Sequence, residues 1–149
     1  MILATRHIGI VVRDMEKCLC FWRDVMGLKV VADFWEEGEF IDTLQQLSSV
    51  SLHMIKLSAP DGSVVELLKD EAHPTSPPKP NALCNLGIRH IAFTVADITE
   101  SWRVLRESGC QTLSEPIFSP DRKVRLFFAR DPEGNLIEIV QMLAKQERE

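Results

Sequence analysis

The chain repeats itself, and that constrains its fold more than any other feature. The run Arg6-His7-Ile8-Gly9-Ile10-Val11-Val12-Arg13-Asp14 returns 83 residues later as Arg89-His90-Ile91-Ala92-Phe93-Thr94-Val95-Ala96-Asp97. A second run, Pro60-Asp61-Gly62-Ser63-Val64-Val65-Glu66-Leu67, returns 72 residues later as Pro132-Glu133-Gly134-Asn135-Leu136-Ile137-Glu138-Ile139. Self-similarity at a fixed offset is the signature of duplicated supersecondary units. The fall in offset from 83 to 72 places about eleven extra residues in the first copy, in the loops around Trp35 to Ser49.

Each copy opens with a strand-like run, then an Asp, then a helical stretch closed by Gly. In the first helix Asp14 is the expected N-cap, Met15, Cys18, Trp22 and Val25 the buried stripe, and Gly27 the stop. In the second, Asp97 and Glu100 form a D-x-x-E capping box. Ile98, Trp102 and Leu105 recur at helical spacing, and Gly109 ends it. Two more strands fit before each final strand, near Lys29–Phe34 and Ser51–Leu57, then near Thr112–Phe118 and Val124–Ala129. Pro-Asp-Gly and Pro-Glu-Gly turns feed the last strand of each copy. The expectation is therefore an α+β fold of two tandem βαβββ modules forming a curved mixed sheet. Module one spans about 1–69 and module two about 88–142 of a single domain. A proline-bearing linker, 70–87, joins them, and a polar tail, 144–149, is expected to fray.

Composition narrows the function classes. At 149 residues, with 45% hydrophobic and 26% charged residues, the chain has the make-up of an ordinary globular domain. A net charge of −5 with scattered basic residues argues against nucleic acid and anionic membranes. No apolar run approaches the roughly 20 residues of a membrane span, and the start does not resemble a signal peptide. Cys18, Cys20, Cys84 and Cys110 form no CxxC pair, which suits a reducing cytoplasm.

The two-residue period of strands sorts the repeated segments into faces. Ile8, Ile10 and Val12 share one face, as do Ile91, Phe93 and Val95, and a helix would cover both sets. His7 and His90 fall on the opposite faces, next to small neighbours, Gly9 and Ala92. Glu66 and Glu138 interrupt the apolar runs of the final strands, where a carboxylate is costly to bury without a partner. One His and one Glu per copy, related by the repeat, suggest four ligands converging on a divalent metal. Imidazole and carboxylate donors suit Zn, Ni, Co, Fe or Mn.

These motifs, RHIGIVVRDMEKCLCFWRDVMGL, APDGSVVELL, GIRHIAFTVADI and RDPEGNLIEIV, resemble the vicinal oxygen chelate superfamily over about residues 5 to 142. That group includes glyoxalase I, methylmalonyl-CoA epimerase, extradiol dioxygenases and fosfomycin- and bleomycin-resistance proteins. The resemblance implies a metal held in a cleft by His7, Glu66, His90 and Glu138, with Zn, Ni or Co foremost and Fe or Mn as alternatives. It also implies a small-molecule substrate chelated through two neighbouring oxygens, and a homodimer.

Three reactions follow from the resemblance. The first is a glyoxalase-type isomerase, lyase or epimerase, in which the metal stabilises an enolate or enediolate. Glu138 and Glu66 then serve as catalytic carboxylates as well as ligands. The second is an Fe(II) extradiol dioxygenase using His7, His90 and Glu138. The absence of tyrosine from the chain counts against it, since those enzymes generally place one near the metal. His53 and His73 are spare histidines, of which His53 could reach the cleft. The third is a resistance or ligand-binding protein, for which Lys123, Arg125 and Arg130 could meet a phosphonate. Phe34, Trp35, Phe40 and Phe118 are candidate substrate-pocket aromatics.

Overall fold

A computed structural model describes residues 2–76 and 86–143. The chain divides into two compact units, Met1–Pro77 and Pro78–Glu149. Unit one runs β1 (Ile8–Val11), α1 (Met15–Cys20), a π-helical turn (Phe21–Val25), β2 (Lys29–Glu37), α2 (Glu39–Gln45), β3 (Ser51–Ser58) and β4 (Val64–Asp70). Unit two runs β5 (His90–Thr94), α3 (Ile98–Glu107), β6 (Ile117–Phe118), β7 (Val124–Arg130) and β8 (Leu136–Met142). Each unit builds its own four-stranded mixed sheet, in the order β1-β4-β3-β2 and β5-β8-β7-β6. The α+β reading of two βαβββ modules holds. In each unit the first strand runs parallel to the last, and the remaining pairs are antiparallel. A helical crossover leads out of the first strand, α2 lies between β2 and β3, and turns join β3 to β4, β6 to β7 and β7 to β8.

Both helix starts follow from their aspartates. Asp14 Oδ1 accepts the Lys17 amide at 3.0 Å, and Asp97 Oδ1 accepts those of Thr99 and Glu100 at 2.9 and 3.0 Å. Both Glu100 carboxylate oxygens also engage Arg103. In unit one the π-turn inserts a residue into the helical period. It brings the adjacent Phe21 and Trp22 both inside and leaves Val25 only half-buried. Gly27 and Gly109 close the helical segments with φ of +74° and +81°.

The ladders locate the insertion. Phe34 pairs with Met54 in unit one, and Ile117 pairs with Leu126 in unit two. The first members lie 83 residues apart and the second members 72, so the extra eleven residues lie between Phe34 and Met54, mostly in the connection from β2 to β3. They fold in part as α2 rather than as plain loop. Ile41 of α2 is buried with Val50, Leu52 and Met54, against Phe34 and Leu68. The Asp42 carboxylate accepts the Ser49 and Val50 amides at 2.9 and 2.8 Å, fixing the return to β3.

The strand expected over Thr112–Phe118 is cut short. Only Ile117 and Phe118 pair with β7, and Thr112 meets Ala129 in an isolated bridge. Pro116, which has no N–H, interrupts the ladder between them. Much of the expected linker, residues 77–85 with Pro77, Pro78, Pro80 and Cys84, lies outside the described residues, as does the tail 144–149. Asp70 belongs to β4, and Pro74 lies in the irregular stretch that follows it.

Candidate metal centre

In unit one the parallel β1–β4 ladder sets Gly9 directly opposite Glu66. His7, two residues before Gly9, shares its side of the sheet. Its Nε2 lies 3.2 Å from Glu66 Oε2. Adding a Cβ at Gly9 would bring it within 3.1 Å of Leu68 Cδ1, so the glycine keeps this strip low. Glu66 is only 6% exposed, although it is a carboxylate. Its other oxygen, Oε1, is met from β3 by Lys56, the residue directly across the ladder, with Nζ at 3.3 Å. The same ammonium lies 5.3 Å from the centre of the Phe34 ring.

Unit two repeats the arrangement with one change. Ala92 stands opposite Glu138, and His90 Nε2 lies 3.1 Å from Glu138 Oε2. The residue across the antiparallel ladder is now Phe128, and its ring meets His90 edge-on at 5.4 Å. His90 and Glu138 are both partly open to solvent.

Each unit therefore supplies one imidazole nitrogen and one carboxylate oxygen. Two donors held about 2.0–2.2 Å from one ion at a right angle lie about 3 Å apart, close to the spacing of each pair. The donor set fits a borderline divalent cation. Among the described residues no group of three or more His, Cys, Asp or Glu side chains is placed to hold a metal ion, so neither unit offers more than its pair.

The other residues singled out from sequence separate by face. In unit one Phe34 lies on the Glu66 side of the sheet, while Trp35 and His53 pair with each other on the opposite side. Their rings stack at 4.5 Å, and His53 Nε2 is 2.7 Å from Asp33 Oδ1. His53 is thus turned away from Glu66. His73 Nδ1 lies 2.6 Å from Asp70 Oδ2, and Phe40 is exposed on α2. In unit two Phe118 falls on the side opposite Glu138 and lies beneath Arg122 and Arg125. The basic residues considered for a phosphonate are engaged locally: Lys123 by Asp121, Arg125 by Thr99 and Arg130 by the Gly134 carbonyl. Cys18 is buried and Cys20 exposed, as their two-residue spacing implies.

Lys56 is the site neighbour that sequence reasoning passed over. The signal was present: it interrupts the apolar alternation Leu52, Met54 of β3, and the 72-residue offset aligns it with Phe128.

Together these features define a duplicated βαβββ protein with a His–Glu pair in each copy. The chain belongs to the Glyoxalase/Bleomycin resistance protein/Dioxygenase superfamily, whose family model matches residues 5–139. A glyoxalase family protein from Bacillus cereus matches with a TM-score of 0.88 and 27% identity, covering 97% of each chain. A probable lactoylglutathione lyase of Synechocystis is 28% identical over 142 residues, 95% of this chain and 97% of that protein. The uncharacterized protein YwkD of Bacillus subtilis is 27% identical over 95% of this chain and 98% of its own. No helix among the described residues is long and apolar enough to cross a membrane.

Proposed function

We propose that this protein is a metal-dependent lyase, isomerase or epimerase of the glyoxalase type, acting on a small oxygen-chelating substrate. The two modules work as one domain, and His7, Glu66, His90 and Glu138 hold one divalent ion. The observation that supports this most is the recurrence of the His–Glu pair at equivalent ladder positions in both units. A strand carboxylate beside an imidazole in both copies, one of them buried, is better explained by a shared ligand than by packing alone. The Synechocystis relative, a probable lactoylglutathione lyase, supports the same reaction class.

The bound ion would supply Lewis acidity at the substrate's neighbouring oxygens. The chain supplies the rest. His7 and His90 present their Nε2 atoms beside Glu66 and Glu138, so that the nitrogen and oxygen of each pair can serve one ion. Glu138, which is partly open to solvent, takes a proton from substrate carbon and returns it in this reading. Glu66, nearly buried, is the more restrained of the two. Assembly as a homodimer and a cytoplasmic location complete the reading.

The Lys56–Glu66 contact favours a second reading. If Lys56 keeps Glu66 from the metal, then His7, His90 and Glu138 remain as the three-ligand set of an Fe(II) dioxygenase. Elemental analysis of protein purified without added metal, alongside Glu66→Gln, separates the two. About one Zn, Ni or Co per chain, weakened by the substitution, is the expected result. Iron retained despite loss of the Glu66 carboxylate moves the assignment to the dioxygenase, and no uptake of any divalent ion overturns both.

A further inference from the structure

The two His–Glu pairs sit at equivalent ladder positions but differ in the residue across from the glutamate. Histidine, small residue and glutamate recur, yet the residue across from the glutamate is Lys56 in unit one and Phe128 in unit two. A buried carboxylate needs a compensating charge. Glu66, 6% exposed, has one in its own sheet, whereas an uncharged ring faces Glu138. Two features hold the ammonium there. Ala32, small, stands across from Lys56 on β2, and the Phe34 ring lies 5.3 Å from Nζ.

Neighbours of a ligand carboxylate change how strongly it donates to a metal. A cation at 3.3 Å draws charge from the carboxylate and repels a second cation. We propose that Lys56 is the resident counter-ion of Glu66, competing with a divalent metal for that carboxylate and making Glu66 the weak, exchangeable ligand while Glu138 is the strong one. The proposal rests on the metal-centre reading above, but it concerns the affinity of the site rather than its reaction. Lys56 acts through Glu66 and is a positioning residue.

The test is calorimetric titration of the chelator-stripped full-length protein with Zn2+. Lys56→Met is expected to bind zinc more tightly than wild type, on the order of ten- to a hundredfold, and to lose thermal stability when metal-free. Lys56→Arg, which keeps the charge, should stay close to wild type. Phe128→Lys, which gives Glu138 an ammonium, should bind more weakly, and it keeps the proposal open to test if Lys56→Met does not fold. Unchanged or weaker binding by Lys56→Met overturns the proposal while leaving the metal-dependent function standing. Zinc taken up by Lys56→Met and refused by wild type supports the proposal. Failure of both proteins to bind zinc overturns the proposal, and failure of wild type to bind any divalent ion overturns that function with it.

Discussion

Gly9 lies directly across the parallel ladder from Glu66, and a Cβ there would come within 3.1 Å of Leu68 Cδ1. That atom is the tip of a flexible side chain, and Ala92 fills the matching position in unit two. Gly9→Ala should therefore cost less than about 1.5 kcal/mol by thermal or denaturant unfolding. Gly9→Leu should leave a folded protein that no longer retains metal, because its side chain fills the strip between His7 and Glu66. Stoichiometric metal in the Gly9→Leu protein would separate this sheet face from the metal site.

His90 offers a cleaner test, since it is partly exposed and its ring meets Phe128 edge-on. His90→Ala should change stability by about 1 kcal/mol or less and abolish metal retention measured by elemental analysis. Full metal content in that variant is incompatible with a ligand role for His90.

The inserted helix has a structural consequence of its own. Ile41 is buried against Val50, Leu52 and Met54, on the Glu66 side of the unit-one sheet. Ile41→Ala should destabilise the protein by about 2–5 kcal/mol, the usual range for emptying a packed aliphatic site, read from denaturant unfolding. A loss near zero would show that α2 docks too loosely to shape that face.

These particulars show what the sequence makes legible. Faces and caps are local or periodic properties, so Asp14, Asp97 and the sides taken by His7 and His90 follow from spacing alone. The approach of each His to its own Glu is legible too, because both repeat runs carry one member. The π-turn is not, since one extra residue moves the buried stripe to Phe21 and Trp22 without a Gly or Pro to mark it. The insertion was countable from the offsets, but Gly38 and Gln46 enclose a helix too short for a periodic signal. His53 is placed by the β3–β4 register, which turns it away from Glu66, whereas Lys56 is marked by its break in the apolar alternation. A bulge in β2 between Val30 and Ala32 fixes which β2 residues share a face with Glu66, and no single sequence displays it.

The turn into the last strand of unit two carries a pH dependence. Asp131 is buried, and desolvation pushes its carboxyl above the ordinary range despite bonds donated by the Glu133 amide, the Asn135 amide and Asn135 Nδ2. The matching residue in unit one is Ala59, which makes the same backbone turn without a carboxylate. With a raised value in the folded chain, the native state keeps a proton that the unfolded chain has already released. This contribution to stability is full below the unfolded value and declines as pH rises through the folded one, by at most about 1.4 kcal/mol per pH unit. An asparagine is neutral throughout, so Asp131→Asn should gain on wild type as pH rises from the ordinary carboxylate range toward neutrality. The measurement is the difference in Tm between the two proteins across that range. If Asp131→Asn instead loses ground as pH rises, the three donated hydrogen bonds outweigh burial and hold Asp131 ionised in the folded chain.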